Sequence, residues 1–178
     1  MLLVAASPVL AQQQQGASGA AGAVAANASI NAAKSIWQLS SGFVARSAEQ
    51  MPESLYSFKP TPAVRSFGQI IGHVADSQYM FCSAALGEKS PQTGSFEKDV
   101  TTKAALIKAL KDASTYCDRA YAQNDVASAA PVTMFGTFNT TKMGALVMNA
   151  AHDYEHYGNL VTYFRLKGMT PPSSQGGM

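Results

Sequence analysis

Charge is scarce in this chain, and its opening has none. Only 13% of the 178 residues are Asp, Glu, Lys or Arg, and the first of them is Lys34. The 13 basic and 11 acidic residues are scattered, with no Lys/Arg cluster of the kind that neutralises phosphates, which argues against a nucleic-acid partner. No run reaches the roughly 20 apolar residues of a membrane-spanning helix. Alternating strand-like stretches and internal repeats are also missing. Whole-chain disorder is nevertheless excluded, because 47% of the residues are hydrophobic. A chain of this length holds one compact domain with a core and is short for two.

The uncharged opening reads as processing plus linker. Leu2 to Ala6 are apolar like the end of a signal segment, and Val9-Leu10-Ala11 sets small residues where a signal peptidase cuts, although a basic leader is missing. Residues 1–11 are therefore read as a truncated signal-peptide remnant, which makes export to the periplasm or the exterior the expected localisation. Residues 12–26, four glutamines followed by Gly, Ala and Ser, form a low-complexity linker. The folded domain is expected over 27–172, with a flexible tail at 173–178.

Within that domain the apolar spacing is helical. Ile30, Ala33, Ile36, Trp37, Val44, Ala48 and Met51 form one stripe ending at Pro52. A second helix is expected to start with Thr61 or a near neighbour as cap and Pro62 in its first turn, and to run through Phe67, Ile70, Ile71, Val74 and Phe81 to Gly87. After a loop over 88–100, Thr101 or Thr102 caps a third helix carrying Leu106, Leu110, Ala113 and Cys117. A polar segment then leads to Asn139-Thr140 as the cap of a fourth helix over 141–167. Four such helices predict an all-α fold, a single up-down four-helix bundle with long connecting loops.

The chain has three histidines, and two of them form the pair His152-Asp153-Tyr154-Glu155-His156, whose imidazoles project from one helical face. Two imidazoles one turn apart can chelate a transition-metal ion, though an isolated pair of this spacing is common on solvated helices. Here Ala145, Met148, Asn159, Tyr163 and Leu166 fall on the same side of the helical wheel, which places the pair inward. His73 lies on the inner stripe of the second helix, so a third imidazole is in reach. Asp76 and Glu155, each three residues from a histidine, are candidate catalytic or ligand-orienting carboxylates. Taken singly, each histidine has a blander reading as a hydrogen-bonded core residue. Cys82 is half a helical turn away from His73, a poor fourth ligand, and an exported chain with an even cysteine count favours a Cys82–Cys117 disulfide.

The run VRSFGQIIGHVAD over Val64–Asp76 resembles the second helix of DinB-like proteins, and HDYEHYGNLVTYFRLKGMTPP from His152 to Pro172 resembles their fourth. The resemblance implies a four-helix bundle of that type, often a homodimer, with His73, His152 and His156 as ligands of one divalent metal. Zinc is the first candidate, with nickel, iron(II) and manganese also compatible with imidazole ligation. It further implies a metal-dependent enzyme of thiol-transferase or hydrolase type acting on a small molecule, or a non-catalytic metal-binding or stress-response module. The fourth-helix motif departs from the acid-rich HExxHRGQ-like form at Asp153, Tyr157 and Asn159, and this leaves the substrate unspecified.

Overall fold

The computed structural model describes residues 27–176, so the expected signal remnant and linker lie outside the described residues. Helix α1 spans Ala28–Gln50. Its open N-terminus is closed from a distance by Asp125, whose carboxylate accepts from the backbone N–H of Ser29 at 3.1 Å and Ile30 at 2.7 Å. A negative charge there also opposes the positive end of the helix dipole. Ile30, Ala33, Trp37, Val44 and Ala48 are buried as their spacing predicts, but Ile36 is 51% exposed.

Helix α2 spans Phe67–Leu86 and starts later than expected. Ser66, not Thr61, is its cap: Ser66 Oγ accepts from Gln69 N–H at 3.2 Å while Gln69 Oε1 accepts from Ser66 N–H at 2.8 Å. This reciprocal capping box fixes the start. The preceding chain is held non-helical because Phe67 and Gly68 donate their N–H groups to the carbonyls of Phe58 and Tyr56.

The two long connections are more ordered than composition suggested. The first contains a one-turn helix α3, Phe96–Asp99, before α4, Lys103–Ala120, which follows Thr102. The second contains α5, Asp125–Ser128, and an antiparallel hairpin of β1, Pro131–Met134, with β2, Phe138–Thr141. Strands of four residues are too short for alternation to register in the sequence. Asn139 and Thr140, expected to cap the last helix, instead pair with Thr133 and Val132 in the hairpin. Thr141 takes the capping role by accepting from Gly144 N–H at 3.0 Å, and α6 runs over Lys142–Leu166.

The four long helices form a bundle in which α2 packs on α4 and α6, α1 packs on α6, and α1 meets α4 more slightly. Cys82 of α2 and Cys117 of α4 are joined by a disulfide, their Cα atoms 5.3 Å apart. The start of the expected tail is in contact with the bundle, Ser173 with Tyr157 and Gln175 with Gln50. No helix among the described residues is long and apolar enough to cross a membrane.

Candidate metal centre

The wheel prediction for α6 places the histidines on its inward face, and the structure refines this. The most deeply buried line on α6 is Leu146, Asn149, Asp153, Leu160 and Phe164. Met148 is half-buried, while Asn159 and Leu166 are exposed. His156 is buried and His152 half-buried, so the pair flanks the core line on the side that faces His73 of α2.

The three imidazoles meet through their Nε2 atoms. His152 Nε2 lies 3.1 Å from His73 Nε2 and 3.0 Å from His156 Nε2. Donors about 2.0–2.1 Å from a tetrahedral zinc ion stand roughly 3.3 Å from one another, so the cluster has close to the spacing of a ligand set. The hydrogen bonding of His73 fits the same use. His73 Nδ1 is 3.0 Å from Glu97 Oε2, and a carboxylate only accepts, which puts the proton on Nδ1 and leaves a lone pair on Nε2 facing its neighbours.

Burial first, then the nearby Arg65 charge, lowers the His73 pKa, with Glu97 opposing both. His152 is pushed down to about 4 by burial, His73 and Arg65, and His156 to about 3 by burial and its two imidazole neighbours together with Arg65. All three therefore stay neutral near pH 7, the state in which imidazole binds a metal.

Glu97 has no counterpart among the residues singled out from the sequence. It sits on α3, and its reach to His73 depends on Gly72: a Cβ there would come within 2.7 Å of the Phe96 carbonyl group and the Glu97 nitrogen. Helix α2 and the backbone of α3 thus touch directly, one residue before the ligand. Burial raises the Glu97 pKa, but its bonds to Arg65 and His73 outweigh burial and hold it low. The signal available in the sequence was the Gly72-His73 step. It could suggest a close approach but not which backbone approached.

Asp76 makes no hydrogen bond to an imidazole. Its carboxylate accepts from Ser95 Oγ at 2.8 Å, Phe96 N–H at 2.9 Å, Glu97 N–H at 3.2 Å and Gln92 Nε2 at 3.1 Å, which ties the loop before α3 to α2. Glu155 is exposed on α6 and takes part in none of the side-chain hydrogen bonds found among the described residues. A cleft of about 600 Å³ opens at the cluster, with His156, Glu97 and Arg65 in its wall. A second cleft of about 290 Å³, between α1 and α4, has no histidine or cysteine among the described residues that line it.

A family model described as the DinB superfamily matches residues 43–160. Among solved structures, a DinB-like protein from Bacillus subtilis is 23% identical with a TM-score of 0.63, the match covering 81% of this chain and 97% of that one. A DinB-like protein from Bacillus cereus is 15% identical with a TM-score of 0.67 over 80% and 93% of the two chains. A mycothiol-dependent maleylpyruvate isomerase is 15% identical with a TM-score of 0.62. That match covers 74% of this chain, which spans only 60% of the isomerase. At these identities the likeness is one of fold. No curated protein matches the sequence.

Proposed function

The chain belongs to the DinB superfamily, and from that premise we propose that it is an exported metal-dependent enzyme in which His73, His152 and His156 hold one divalent ion, with zinc the first choice. The observation that carries the reading is the convergence of three neutral imidazole nitrogens, one of them on His156 in the wall of an open cleft. A purely structural zinc site is closed by four protein ligands, whereas three ligands beside a cleft leave room for a small molecule. Such an ion supplies Lewis acidity at that open position.

The chain's own residues supply the rest. Glu97 fixes the His73 ring and its tautomer, Asp76 holds Glu97 in place through the backbone of α3, and Arg65 sets a positive charge beside the cleft. The mycothiol-dependent activity in the isomerase's name supports a small thiol as one candidate substrate class. Export is supported by the apolar opening of the sequence and by the disulfide, since such bonds persist in oxidising compartments.

The test is metal analysis of protein purified without added metal and after reconstitution with zinc, nickel, iron(II) or manganese, followed by turnover assays with thiol and hydrolysable substrates. One ion per chain with metal-dependent turnover is expected. One ion with no turnover on any substrate would favour the non-catalytic module, and no bound ion under any condition would remove the metal reading.

A further inference from the structure

Among the described residues, Arg65 is the one cation in the wall of the 600 Å³ cleft, and Glu97 the one anion. Glu97 is already committed at both oxygens, Oε1 to Arg65 Nε at 2.9 Å and Oε2 to His73 Nδ1 at 3.0 Å. The terminal nitrogens of Arg65 are not. Nη2 lies 3.5 Å from His73 Nδ1, but that nitrogen gives its proton to Glu97 and has no lone pair to offer. The guanidinium is therefore fixed along one edge and carries unspent N–H donors on the other.

Its position is also fixed from behind. The Tyr163 hydroxyl donates to the Arg65 carbonyl, and the capping box beginning at Ser66 anchors the next residue. Around this fork the cleft is apolar at Val64, Ile70 and the Tyr163 ring, with polar groups at Asn159 and Thr162. A planar fork with spare donors matches a carboxylate geometrically. The placement matters as well: Arg65 Nη2 lies 3.5 Å from the Nδ1 side of the His73 ring, and Arg65 and His156 line the same cleft, so a molecule held there has both within its surroundings.

We infer that this cleft selects small carboxylic acids, the carboxylate docking on Arg65 and a thiol, hydroxyl or carbonyl two or three bonds away pointing at the histidine cluster. The inference rests on the metal reading above and names the substrate class for that site.

The test compares two probes that differ in the acid group, 2-mercaptoacetate and 2-mercaptoethanol, by isothermal titration into the zinc-reconstituted full chain, with inorganic phosphate as a competing arm. The acid is expected to bind at least about tenfold more tightly, as a charge-assisted hydrogen bond warrants. Arg65→Gln should remove the preference. Arg65→Lys restores the charge and can still pair with Glu97, so it should recover only part of the preference if the fork matters. Full recovery would mean that a positive charge suffices and would overturn the role assigned to the fork. So would equal binding of the two thiols by the wild type, a preference that survives in Arg65→Gln, or phosphate binding as tightly as the acid. A wild type that retains no zinc overturns the metal reading and this inference together. One that retains zinc without the preference overturns this inference alone.

Discussion

Two neighbouring residues of α6, His152 and Asp153, serve polar regions built on opposite principles. His152 joins the imidazole cluster, whose Nε2 atoms face one another and whose His156 borders a cleft. Asp153 has no solvent exposure and lies in a sealed layer, where Gln78 Nε2 donates to Asp153 Oδ2 at 3.2 Å and Ser114 Oγ donates to Gln78 Oε1 at 3.0 Å. Beyond it, Asn149 donates to the Tyr121 hydroxyl at 3.2 Å, beside the Cys82–Cys117 disulfide. Burial acts on both regions by disfavouring charge, lowering the histidine pKa values and raising that of Asp153 well above the carboxylate norm. The outcomes differ because a neutral imidazole offers a lone pair to a ligand, while a neutral carboxylic acid can accept from Gln78 without burying a charge. One region is arranged to receive something, and the other only to hold α2, α4 and α6 together.

The largest break in this contrast is expected from His156→Ala. Two imidazoles remain, too few for tight retention, and zinc affinity should fall by more than about 100-fold, read by competition with a chromophoric chelator. The fold should survive, because Tyr157, Leu160 and Asp153 still pack α6. Loss of folding in the metal-free variant would mean that the histidines brace the core. The metal-free wild type carries a pH signature. Burial holds His152 near 4 and His156 near 3, against about 6.5 in the unfolded chain. Between those values the unfolded state binds more protons, so the two histidines' contribution to stability should rise with pH from about 4 to 6.5 and level off above. Thermal melts at pH 5 and pH 7.5 of the metal-free wild type and of metal-free His152→Ala/His156→Ala, whose difference isolates the two imidazoles, check the sign.

Next in size is the disulfide. Its 35-residue separation gives about 3–4 kcal/mol in the chain-entropy model, so the Cys82→Ala/Cys117→Ala pair should lose roughly that much in urea unfolding. Zinc stoichiometry of the folded variant should not change. A drop in metal content would show that the sealed layer and the imidazole cluster are coupled, and would undo their separation.

The imidazole cluster depends in turn on a contact the sequence hid. Gly72→Ala forces a Cβ to within 2.7 Å of backbone at Phe96 and Glu97, which must move away and take the carboxylate from His73. Both Gly72→Ala and Glu97→Gln are expected to weaken zinc about 10- to 100-fold, the range for partners that orient a ligand. The double variant should be little worse than either single one, since both break the same bond. Additive losses would mean Gly72 acts on something other than Glu97.

These contacts mark where legibility ended. His73, His152 and His156 were readable because helical spacing fixes which residues share a face, and the apolar stripes of α2 and α4 came out as predicted. Glu97 was not, because its place depends on a one-turn helix docking across α2, a tertiary event without periodicity. The start of α2 was misplaced for a related reason. Thr61-Pro62 is a good helix entry locally, but carbonyls of Tyr56 and Phe58 capture the first N–H groups and move the entry to Ser66. Asp153 was noted as a departure in a motif. Its burial follows from sitting on the core line of α6, one position beyond a histidine that does not.

The smallest expected effect is the sharpest test of the contrast. If Asp153 is protonated in the folded protein, Asp153→Asn swaps one neutral hydrogen-bonding group for another of nearly the same shape. The amide oxygen can accept from Gln78 Nε2 as the carboxyl Oδ2 does now. The change in stability at pH 4, where the unfolded chain also largely keeps its proton, should then be under about 1 kcal/mol, whereas Asp153→Ala, which leaves the Gln78 donor unpaired in a dry layer, should cost about 2–3 kcal/mol. The pH dependence gives the sign. A raised folded pKa means the folded state keeps a proton that the unfolded chain releases above about 3.9, so Asp153's contribution to wild-type stability falls as pH rises from there toward the folded value. Asp153→Asn cannot release that proton, and its stability should pull ahead of the wild type as pH increases from 4 to 7. Urea unfolding of both proteins at pH 4, 5.5 and 7 reads this directly. A variant that falls behind at pH 7 would mean that Asp153 is ionised where it lies, and that the sealed layer holds a charge.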